Sequence, residues 1–229
     1  MSVRSMRATA SVRVWDLPTR LFHWALALAV VGSVASAKIG GAAMVWHFRL
    51  GYLVFGLLVF RLLWGFIGGR WSRFASFLYS PGVTLRYLRG RATPQDRLDV
   101  GHSPLGALSV FAVLAVLAVQ VATGLVGDDE IASVGPLNRY VANATGLAAT
   151  AWHKTWGQWA ILGLVALHVA AVALYAWRGR NLVAPMLHGD KTLPAGTPAS
   201  DDALAMRLRA LVLALASAVA VWAVVRLGG

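Results

Sequence analysis

Histidine is the residue type in this chain that is best suited to bind a metal or a redox cofactor. The sequence contains six histidines and no cysteine, so disulfides, thiolate ligands and the thioether attachment of a c-type haem are excluded. His153 and His168 enclose an almost wholly apolar stretch. On an α-helix their imidazoles would lie roughly 22 Å apart along the axis and about 60° apart around it. One helix would therefore carry two imidazoles, broadly on one side and at two depths.

The segments that must position these histidines are apolar and long enough to span a membrane. Of the 229 residues, 58% are hydrophobic and only 13% are charged, which is too apolar for an ordinary soluble domain. A transmembrane helix needs about 20 predominantly apolar residues. Five stretches meet this length, at 21–37, 47–67, 105–126, 154–176 and 208–227. The sequence therefore predicts an all-α integral membrane protein, because lipid offers no partner to backbone groups outside a helix.

The distribution of positive charge predicts how these spans are oriented. The formal net charge is +12, and most Lys and Arg residues lie before the first span, between the second and third, and between the fourth and fifth. The positive-inside rule then places the N-terminus in the cytoplasm and the C-terminus in the periplasm. Attraction to anionic membrane lipid explains the basic charge, and a nucleic-acid partner is disfavoured because the charge is confined to alternate loops.

Local patterns describe the chain outside the spans. Residues 1–14 are polar and basic and are predicted to be poorly ordered, whereas Asp16 is expected to cap the helix of the first span. Ser80 is expected to cap a short amphipathic helix on the membrane surface. Residues 188–202 are rich in turn-forming residues and are predicted to form a linker.

Topology sorts four of the histidines into two pairs at different depths. His23 and His168 lie toward the cytoplasmic ends of the first and fourth spans, whereas His47 and His153 begin the second and fourth spans at the outer face. Ionisable residues inside a membrane are costly and are usually functional. Two bis-histidine haem sites would explain both pairs, while proton relays and metal sites remain alternatives on the residues alone.

Cations and glycines near the histidines could complete such sites. Candidate partners for haem propionates are Arg20 and Arg61 beside the inner pair, and Arg49 and Lys154 beside the outer pair. For Arg61 there is a simpler alternative, in which its side chain extends to the lipid headgroups. Glycines that would let a porphyrin approach closely are Gly51, Gly56, Gly157 and Gly163.

A set of motifs spread over most of the chain resembles one family of membrane proteins. They are VWDLPTRLFHW at 14–24, WHFRLGY at 46–52, FRLLWGFIG at 60–68, GHSPLG at 101–106, DDE at 128–130 and the two-histidine stretch 152–168. Together they resemble the bacterial cytochrome b561 family, and in particular the branch that includes the b-type cytochrome subunit of nickel–iron hydrogenases. The resemblance covers residues 12–190 and implies a four-helix transmembrane bundle that holds two haems b.

The resemblance also implies ligands and an activity. His23 and His168 would bind the inner haem, and His47 and His153 the outer haem, from helices one, two and four. Such proteins pass electrons between a quinone pool and a redox partner, or a small oxidant or reductant, in the bacterial inner membrane. Residues 1–190 would form this di-haem domain. Residues 191–229 would add a linker and a fifth, C-terminal transmembrane helix outside the four-helix pattern.

A quinone site is expected beside the inner haem. It would be bounded by His102, Arg61 and Arg20, because His102 could donate a hydrogen bond to a quinone carbonyl. A quinone site at the outer face is chemically equally open.

The acidic residues Asp128, Asp129 and Glu130 lie at the outer face and would suit docking of a basic c-type cytochrome or another periplasmic redox protein. A plain solvated turn explains them equally well. For the whole chain, the alternatives are a membrane anchor and electron conduit in a larger complex such as a hydrogenase, and a superoxide:quinone oxidoreductase. A homodimer is also open. A transporter is disfavoured, because no span contains a mid-membrane proline or an acidic residue.

Overall fold

The computed structural model describes residues 8–93, 98 and 100–228, and the chain is mostly helical within them. Five of the described helices are long and apolar enough to cross a membrane, which confirms the predicted all-α membrane bundle with a fifth C-terminal helix. In chain order the α-helices are α1 (Leu17–Ile39), α2 (Met44–Ile67), α3 (Pro81–Leu88), α4 (Pro104–Val126), α5 (Asn143–Trp152), α6 (Gln158–Trp177), α7 (Val183–His188) and α8 (Leu204–Arg226).

Polar side chains fix the starts of three helices. The Asp16 carboxylate accepts a hydrogen bond from the Thr19 backbone N–H at 2.8 Å at the start of α1. Ser80 caps the surface helix α3 in the same way, and Ser103 caps α4. Each cap satisfies a backbone donor that has no partner inside the helix. The predicted caps at Asp16 and Ser80 are confirmed.

The fourth span is longer than the sequence predicts and is not a uniform α-helix. It begins with α5, continues through a π-helical turn at His153–Gly157, and ends with α6. A π-turn holds one more residue than an α-turn, so it rotates the following residues by roughly 100° relative to ideal α-helical spacing. The angle of about 60° expected between His153 and His168 therefore does not apply.

The transmembrane helices meet in an aliphatic layer near the middle of the bundle. α1 and α2 pack together along their length, α8 packs on α2, and α6 makes its main contacts with α4. Ala29, Val54, Leu117 and Ile161 are buried together, one from each of α1, α2, α4 and α6. We call these four residues the aliphatic layer.

A two-stranded antiparallel sheet lies at the end of the bundle where α1 begins. β1 (Thr9–Arg13) pairs with β2 (Asp190–Pro194), with Arg13 opposite Asp190. Val12 and Leu193 are buried in one apolar cluster with Trp15. Burial of these side chains, together with the ladder of backbone hydrogen bonds, orders both segments.

Two expectations about the chain outside the spans are therefore wrong. Residues 9–13 of the segment 1–14 form a strand, while residues 1–7 lie outside the described residues. Residues 190–194 of the presumed linker 188–202 form the partner strand. The strands are about 180 residues apart in the chain, so local composition carries no sign of their pairing.

Asp202 connects the start of α8 to the start of α1. Its carboxylate accepts hydrogen bonds from Arg13 at 2.9 Å, from Arg207 at 3.2 Å and from the Leu17 backbone N–H at 3.0 Å. Charge-assisted hydrogen bonds of this kind are stronger than neutral ones. They hold the fifth transmembrane helix against the end of α1 that leads to His23.

Candidate haem sites between the membrane helices

Four histidines face one another in two pairs across the bundle. The ring centres of His47 and His153 are 5.9 Å apart, and those of His23 and His168 are 6.2 Å apart. Two imidazoles that bind one metal from opposite sides, each nitrogen about 2 Å from it, have ring centres about 6 Å apart. The structure thus brings together the same two pairs that the depth argument predicts. We call them the outer pair (His47 and His153) and the inner pair (His23 and His168).

Hydrogen bonds orient both rings of the outer pair. His47 Nδ1 lies 2.9 Å from the Ser33 carbonyl oxygen, and His153 Nδ1 lies 2.9 Å from the Gln120 carbonyl oxygen. A carbonyl only accepts, so both Nδ1 atoms carry the proton and both Nε2 atoms keep a free lone pair. Histidines that ligate metals show the same arrangement, in which the second nitrogen donates to a backbone carbonyl.

A cavity of about 600 Å³ adjoins the outer pair and is lined by α1, α2, α4 and the π-turn. Its volume lies in the usual range of about 300–1,000 Å³ for cofactor and ligand sites. Gly51 lines this cavity one helical turn after His47, and a Cβ added there would meet no atom within 4 Å. The oriented imidazoles and the open space beside them fit a bis-histidine haem.

Buried polar atoms without a hydrogen-bond partner gather at the two pairs. Among the residues that the structure describes there are six such side-chain atoms. Around the inner pair they are Arg20 Nε, His23 Nδ1, Arg61 Nη1 and His102 Nδ1, and beside the outer pair they are Ser33 Oγ and Gln120 Oε1. A buried polar atom left unpaired costs about 1–3 kcal/mol. A cofactor with polar groups would remove part of this cost.

His102 is enclosed by aromatic rings near the inner pair. Its ring centre is 4.8 Å from that of Trp15 and 4.5 Å from that of Phe77. Burial above all, together with the nearby charges of Arg61, Lys191 and His23, lowers the pKa of His102 to about 3. The imidazole is therefore neutral at pH 7 and has one donor nitrogen and one acceptor nitrogen.

Arg61 is buried in the bundle and does not extend to the lipid headgroups. Only 3% of its surface is exposed, its guanidinium donates to the Ser72 carbonyl at 3.0 Å, and it lies over the Phe74 ring at 4.7 Å. The alternative in which Arg61 reaches the membrane surface is therefore wrong. The opposite charge of Asp16 attracts Arg61 and favours its burial.

The carboxylate of Asp16 belongs to a buried network that the sequence did not reveal. Asp16 is fully buried and accepts hydrogen bonds from Ser72 Oγ at 2.7 Å and Trp64 Nε1 at 3.2 Å. Ser72 thus connects Asp16 to Arg61, since its carbonyl accepts from Arg61. The sequence indicates only the helix cap at Asp16, because Ser72 is more than fifty residues away in the chain.

Comparison with known proteins identifies the family. The sequence profile of the prokaryotic cytochrome b561 family matches residues 14–189. The chain belongs to this family. The family prediction made from the motifs is thereby confirmed, and this b-type cytochrome is a multi-pass bacterial membrane protein that binds haem b and takes part in electron transfer.

The cytochrome is similar to three curated proteins, each called a probable Ni/Fe-hydrogenase B-type cytochrome subunit. The protein from Rhodobacter capsulatus is 24% identical, with 83% of this chain and 85% of the relative covered. The one from Cupriavidus necator is 25% identical, with 83% and 91% covered. The one from Bradyrhizobium diazoefficiens is 22% identical, with 79% and 86% covered. No solved structure matches the chain.

The predicted propionate partners of the cytochrome differ in their surroundings. Lys154 lines the outer cavity, whereas Arg49 is exposed and lies over the Trp46 ring at 5.0 Å. Arg20 donates to the Leu187 carbonyl at 2.6 Å, which ties it to the last turn of α7. Among these three cations, Lys154 is the one that faces the cavity. Arg49 does not line it.

The acidic turn of the cytochrome is shaped by its own carboxylates. Asp129 Oδ1 accepts from the backbone N–H groups of Ile131, Ala132 and Ser133 at 2.8–3.0 Å, and Asp128 Oδ1 accepts from the Glu130 N–H at 2.8 Å. Backbone hydrogen bonds, from Ser133 above all, lower the pKa of Asp129 to about 2. The plain turn accounts for these bonds, and docking by Asp128, Asp129 and Glu130 stays a prediction.

The four glycines that were expected to let a porphyrin approach closely have different surroundings in the cytochrome. Gly51 lines the outer cavity, as expected. A Cβ at Gly56 would lie 3.6 Å from Val221 of α8, so Gly56 faces the fifth helix and its expected role at a porphyrin is wrong. A Cβ at Gly157 would overlap the Gln120 side chain, whereas one at Gly163 would meet nothing within 4 Å.

Gln120 is the functional candidate that sequence reasoning missed at the outer pair. Its backbone carbonyl accepts from His153 Nδ1 at 2.9 Å, and its side-chain amide donates to the His153 carbonyl at 3.0 Å. The available signal was the single amide side chain of the span 105–126, whose other polar side chains are the small hydroxyls of Ser109 and Thr123. Polar side chains inside a membrane span are usually functional.

Proposed function

We propose that this cytochrome holds two haems b at different depths and carries electrons across the membrane between a quinone and a periplasmic redox partner. The observation that best supports it is the presence of two opposed imidazole pairs, with ring centres 5.9 Å and 6.2 Å apart. His47 and His153 would ligate the outer haem, and His23 and His168 the inner haem. When bound, haem supplies one-electron redox chemistry.

The aliphatic layer separates the two proposed sites. Val54 follows His47 by seven residues on α2, which is roughly 10 Å along the helix. On the opposite wall, Ile161 lies between His153 and His168. Closely packed aliphatic side chains offer a water molecule neither space nor hydrogen-bond partners. In this proposal the layer keeps water out of the space between the haems, so that electrons cross the membrane without protons.

The arrangement of charge supports a specific orientation in the bacterial inner membrane. Lys and Arg are concentrated in alternate loops, and the positive-inside rule then favours a cytoplasmic N-terminus and a periplasmic C-terminus. The inner pair would then face the cytoplasm and the outer pair the periplasm.

A quinone at the inner side is supported by unpaired donors there. Three nitrogen atoms there are buried without a hydrogen-bond partner: His102 Nδ1, Arg61 Nη1 and Arg20 Nε. His102, held neutral by burial, would donate to one quinone carbonyl. Arg61 adds a positive charge that favours a reduced, anionic quinone or a haem propionate. Among the residues that the structure describes, the buried unpaired side-chain atoms beside the outer pair are Ser33 Oγ, which can donate, and Gln120 Oε1, which can only accept.

A second candidate function is that of membrane anchor and electron conduit in a larger complex. The three curated relatives are named as hydrogenase cytochrome subunits, which favours a redox enzyme as the periplasmic partner. The outward face of the fourth span is largely uncovered, with Trp156, Trp159 and Trp177 exposed. A partner subunit or lipid could cover this face.

The haem content of the purified protein tests the proposal. A pyridine haemochrome assay together with the dithionite-reduced spectrum should give two haems b per chain. One haem per chain would mean that only one of the two histidine pairs binds haem. No haem would contradict haem binding by this chain altogether.

Electron entry from quinone is tested in proteoliposomes with a quinol in the bilayer and stopped-flow detection of haem reduction. Changing His102 to Leu should slow quinol-dependent haem reduction by up to about tenfold, since a hydrogen bond between neutral groups contributes about 0.5–1.5 kcal/mol. Haem reduction by dithionite should be unchanged. Tyr79→Phe is the matched control, because the Tyr79 hydroxyl donates to the His102 backbone carbonyl and not to its imidazole. An unchanged rate of haem reduction in the His102 variant would show that the quinone does not bind at His102.

A further inference from the structure

Gln120 and His153 are joined by two hydrogen bonds that run in opposite directions. The Gln120 side-chain amide donates to the His153 carbonyl at 3.0 Å, and the His153 imidazole donates to the Gln120 carbonyl at 2.9 Å. One bond fixes the backbone of His153 and the other fixes its ring. Together they leave His153 little freedom to rotate about either its backbone or its side-chain bonds.

The π-turn explains why His153 needs such a partner. His153 is the first residue of this turn, and the extra residue in a π-turn disturbs the regular pairing of backbone groups. Inside a membrane span a hydrogen bond to a backbone carbonyl is worth keeping, because lipid offers no replacement. The Gln120 amide supplies a donor to the His153 carbonyl from the neighbouring helix α4, so the turn and the glutamine stabilise each other.

Gly157 provides the space in which the Gln120 side chain lies. Gly157 is buried at the end of the same π-turn. A Cβ at this position would overlap Gln120 Oε1 and the Trp152 ring. Only a glycine therefore lets the Gln120 side chain pass close to the turn and reach the His153 carbonyl.

We infer that Gln120 is a positioning residue for the outer haem, and that it acts by holding the π-turn so that His153 keeps its Nδ1–H on the Gln120 carbonyl and its Nε2 toward His47. This inference rests on the proposed role of His47 and His153 as ligands. A histidine that donates from Nδ1 to a carbonyl is a more basic ligand at its other nitrogen. Gln120 thus favours the oxidised iron of the outer haem and a fixed ring orientation.

The decisive variant is Gln120→Met, which has a similar length but no N–H donor. The low-spin electron paramagnetic resonance signal of the outer haem should shift, and its midpoint potential should become more positive. The backbone carbonyl at position 120 is kept in this variant, but without the amide the π-turn is held less firmly, so the hydrogen bond from His153 Nδ1 to that carbonyl weakens and the ligand becomes less basic. Loss of the outer haem to apomyoglobin should become about tenfold faster, in the range typical of mutations to the partners of metal ligands. The inner haem in the same molecule is the internal control, and its signals should not change.

A matched glycine pair tests the same contact without touching Gln120. Gly157→Ala should reproduce the shift of Gln120→Met, because the methyl group displaces the glutamine. Gly163→Ala is the control in the same span and should leave the outer haem unchanged. Its methyl group meets nothing within 4 Å, and Gly163, unlike Gly51, does not line the outer cavity. In the Gln120→Met, Gly157→Ala double variant the shift should not exceed that of either single variant, as expected when both act through one contact.

The outcomes separate this inference from the proposed function. Fewer than two haems in the unmodified protein would overturn the proposed function. Two haems, with an unchanged outer spectrum and potential in Gln120→Met, would overturn the inference alone. If Gln120→Met does not fold, the comparison of Gly157→Ala with Gly163→Ala decides, and equal outer-haem signals in those two variants would contradict the positioning role.

Discussion

The outer and inner pairs have similar ring separations but very different surroundings. In the outer pair, the Nδ1 atoms of His47 and His153 donate to backbone carbonyls. In the inner pair, His23 Nδ1 is buried without a partner, and the neighbouring polar groups are cations and a neutral histidine. The outer pair is oriented by backbone dipoles before any cofactor binds, whereas the inner pair is surrounded by charge. We therefore expect hydrogen bonds to tune the outer site and electrostatics to tune the inner one.

The largest expected effect is the loss of one haem when one ligand is removed. His153→Ala should eliminate the outer haem and His168→Ala the inner haem, so each variant should retain one haem b per chain in a pyridine haemochrome assay. The physical reason is that each pair shares no ligand with the other. His188→Ala is a matched control, because His188 lies outside both pairs and only accepts a hydrogen bond from the Asp190 N–H.

The same experiment tests whether the outer and inner haem sites are independent of each other. If either single variant of a folded protein lost both haems, the two sites would not be independent, and a separate description of their surroundings would have no basis. Size-exclusion chromatography in detergent establishes that the variants are folded.

The next largest effect is expected from filling the outer cavity. Gly51 lies four residues after His47, on the same face of α2, and borders open space. Gly51→Leu should place a bulky side chain where the outer haem would bind. Overpacking typically costs about 1–3 kcal/mol, so outer haem occupancy after a chase with apomyoglobin should fall by about tenfold. Full outer occupancy would show that the cofactor lies on another side of the pair.

Removing the buried cation should affect only the inner site. A unit charge about 10 Å away in a medium of effective dielectric about 20 contributes about 1.7 kcal/mol, which is roughly 70 mV for one electron. Arg61→Met should therefore lower the midpoint potential of the inner haem by about that amount in a redox titration. Arg49→Met is the matched control, since Arg49 is exposed and its charge is screened. Equal shifts in the two variants would contradict an electrostatic role of Arg61.

Loss of Arg61 also leaves Asp16 as a buried charge. Arg61 reaches Asp16 through Ser72, and a buried charge that loses its compensating charge is destabilising, so Arg61→Met should also unfold at lower temperature. Asp16→Asn in addition to Arg61→Met should restore part of the stability. Because it also removes a negative charge from the same end of the bundle, it should bring the potential of the inner haem part of the way back.

The sequence predicted the spans and the histidine pairs because both depend on features that can be read along the chain. Apolar length defines a span, and the position of a histidine within a span defines its depth. Charge in alternate loops then tells which histidines share a level. The pairing of His47 with His153 and of His23 with His168 needed no knowledge of packing.

The features that the sequence did not reveal depend on contacts between distant residues. The buried position of Arg61 depends on Asp16 and Ser72, which lie on α1 and on the loop after α2. The π-turn at His153 breaks the period of 3.6 residues on which helix predictions rest. β1 and β2 pair across almost the whole chain. A local pattern contains no information about such partners.

The smallest effects should come from the two ends of the bundle when pH falls. Burial raises the pKa of Asp202, but hydrogen bonds from Arg207 and the Leu17 N–H and the charges of Arg207 and Arg13 outweigh it, so the net pKa is lowered. A lowered folded-state pKa means that Asp202 stabilises the fold above the ordinary value of 3.8, and that this stability is lost as pH falls through the lower, folded-state pKa. Because the carboxylate is partly exposed, its contribution should not exceed about 1 kcal/mol.

Asp202→Asn should therefore lower the unfolding temperature slightly at pH 7 and make it less dependent on pH below about pH 4. Asp129→Asn at the opposite end is the matched variant, because backbone hydrogen bonds lower the pKa of Asp129 to about 2, and its stabilisation is likewise lost only in acid. Haem absorbance recorded during thermal unfolding shows when the haem at each end of the bundle is released. If Asp202 closes the inner end, its variant should release the inner haem first on acidification, whereas the Asp129 variant should release the outer haem first. Release of the haems in the same order from both variants would show that the two ends unfold as one unit, and that the difference between the outer and inner pairs does not extend beyond the histidines and their immediate neighbours.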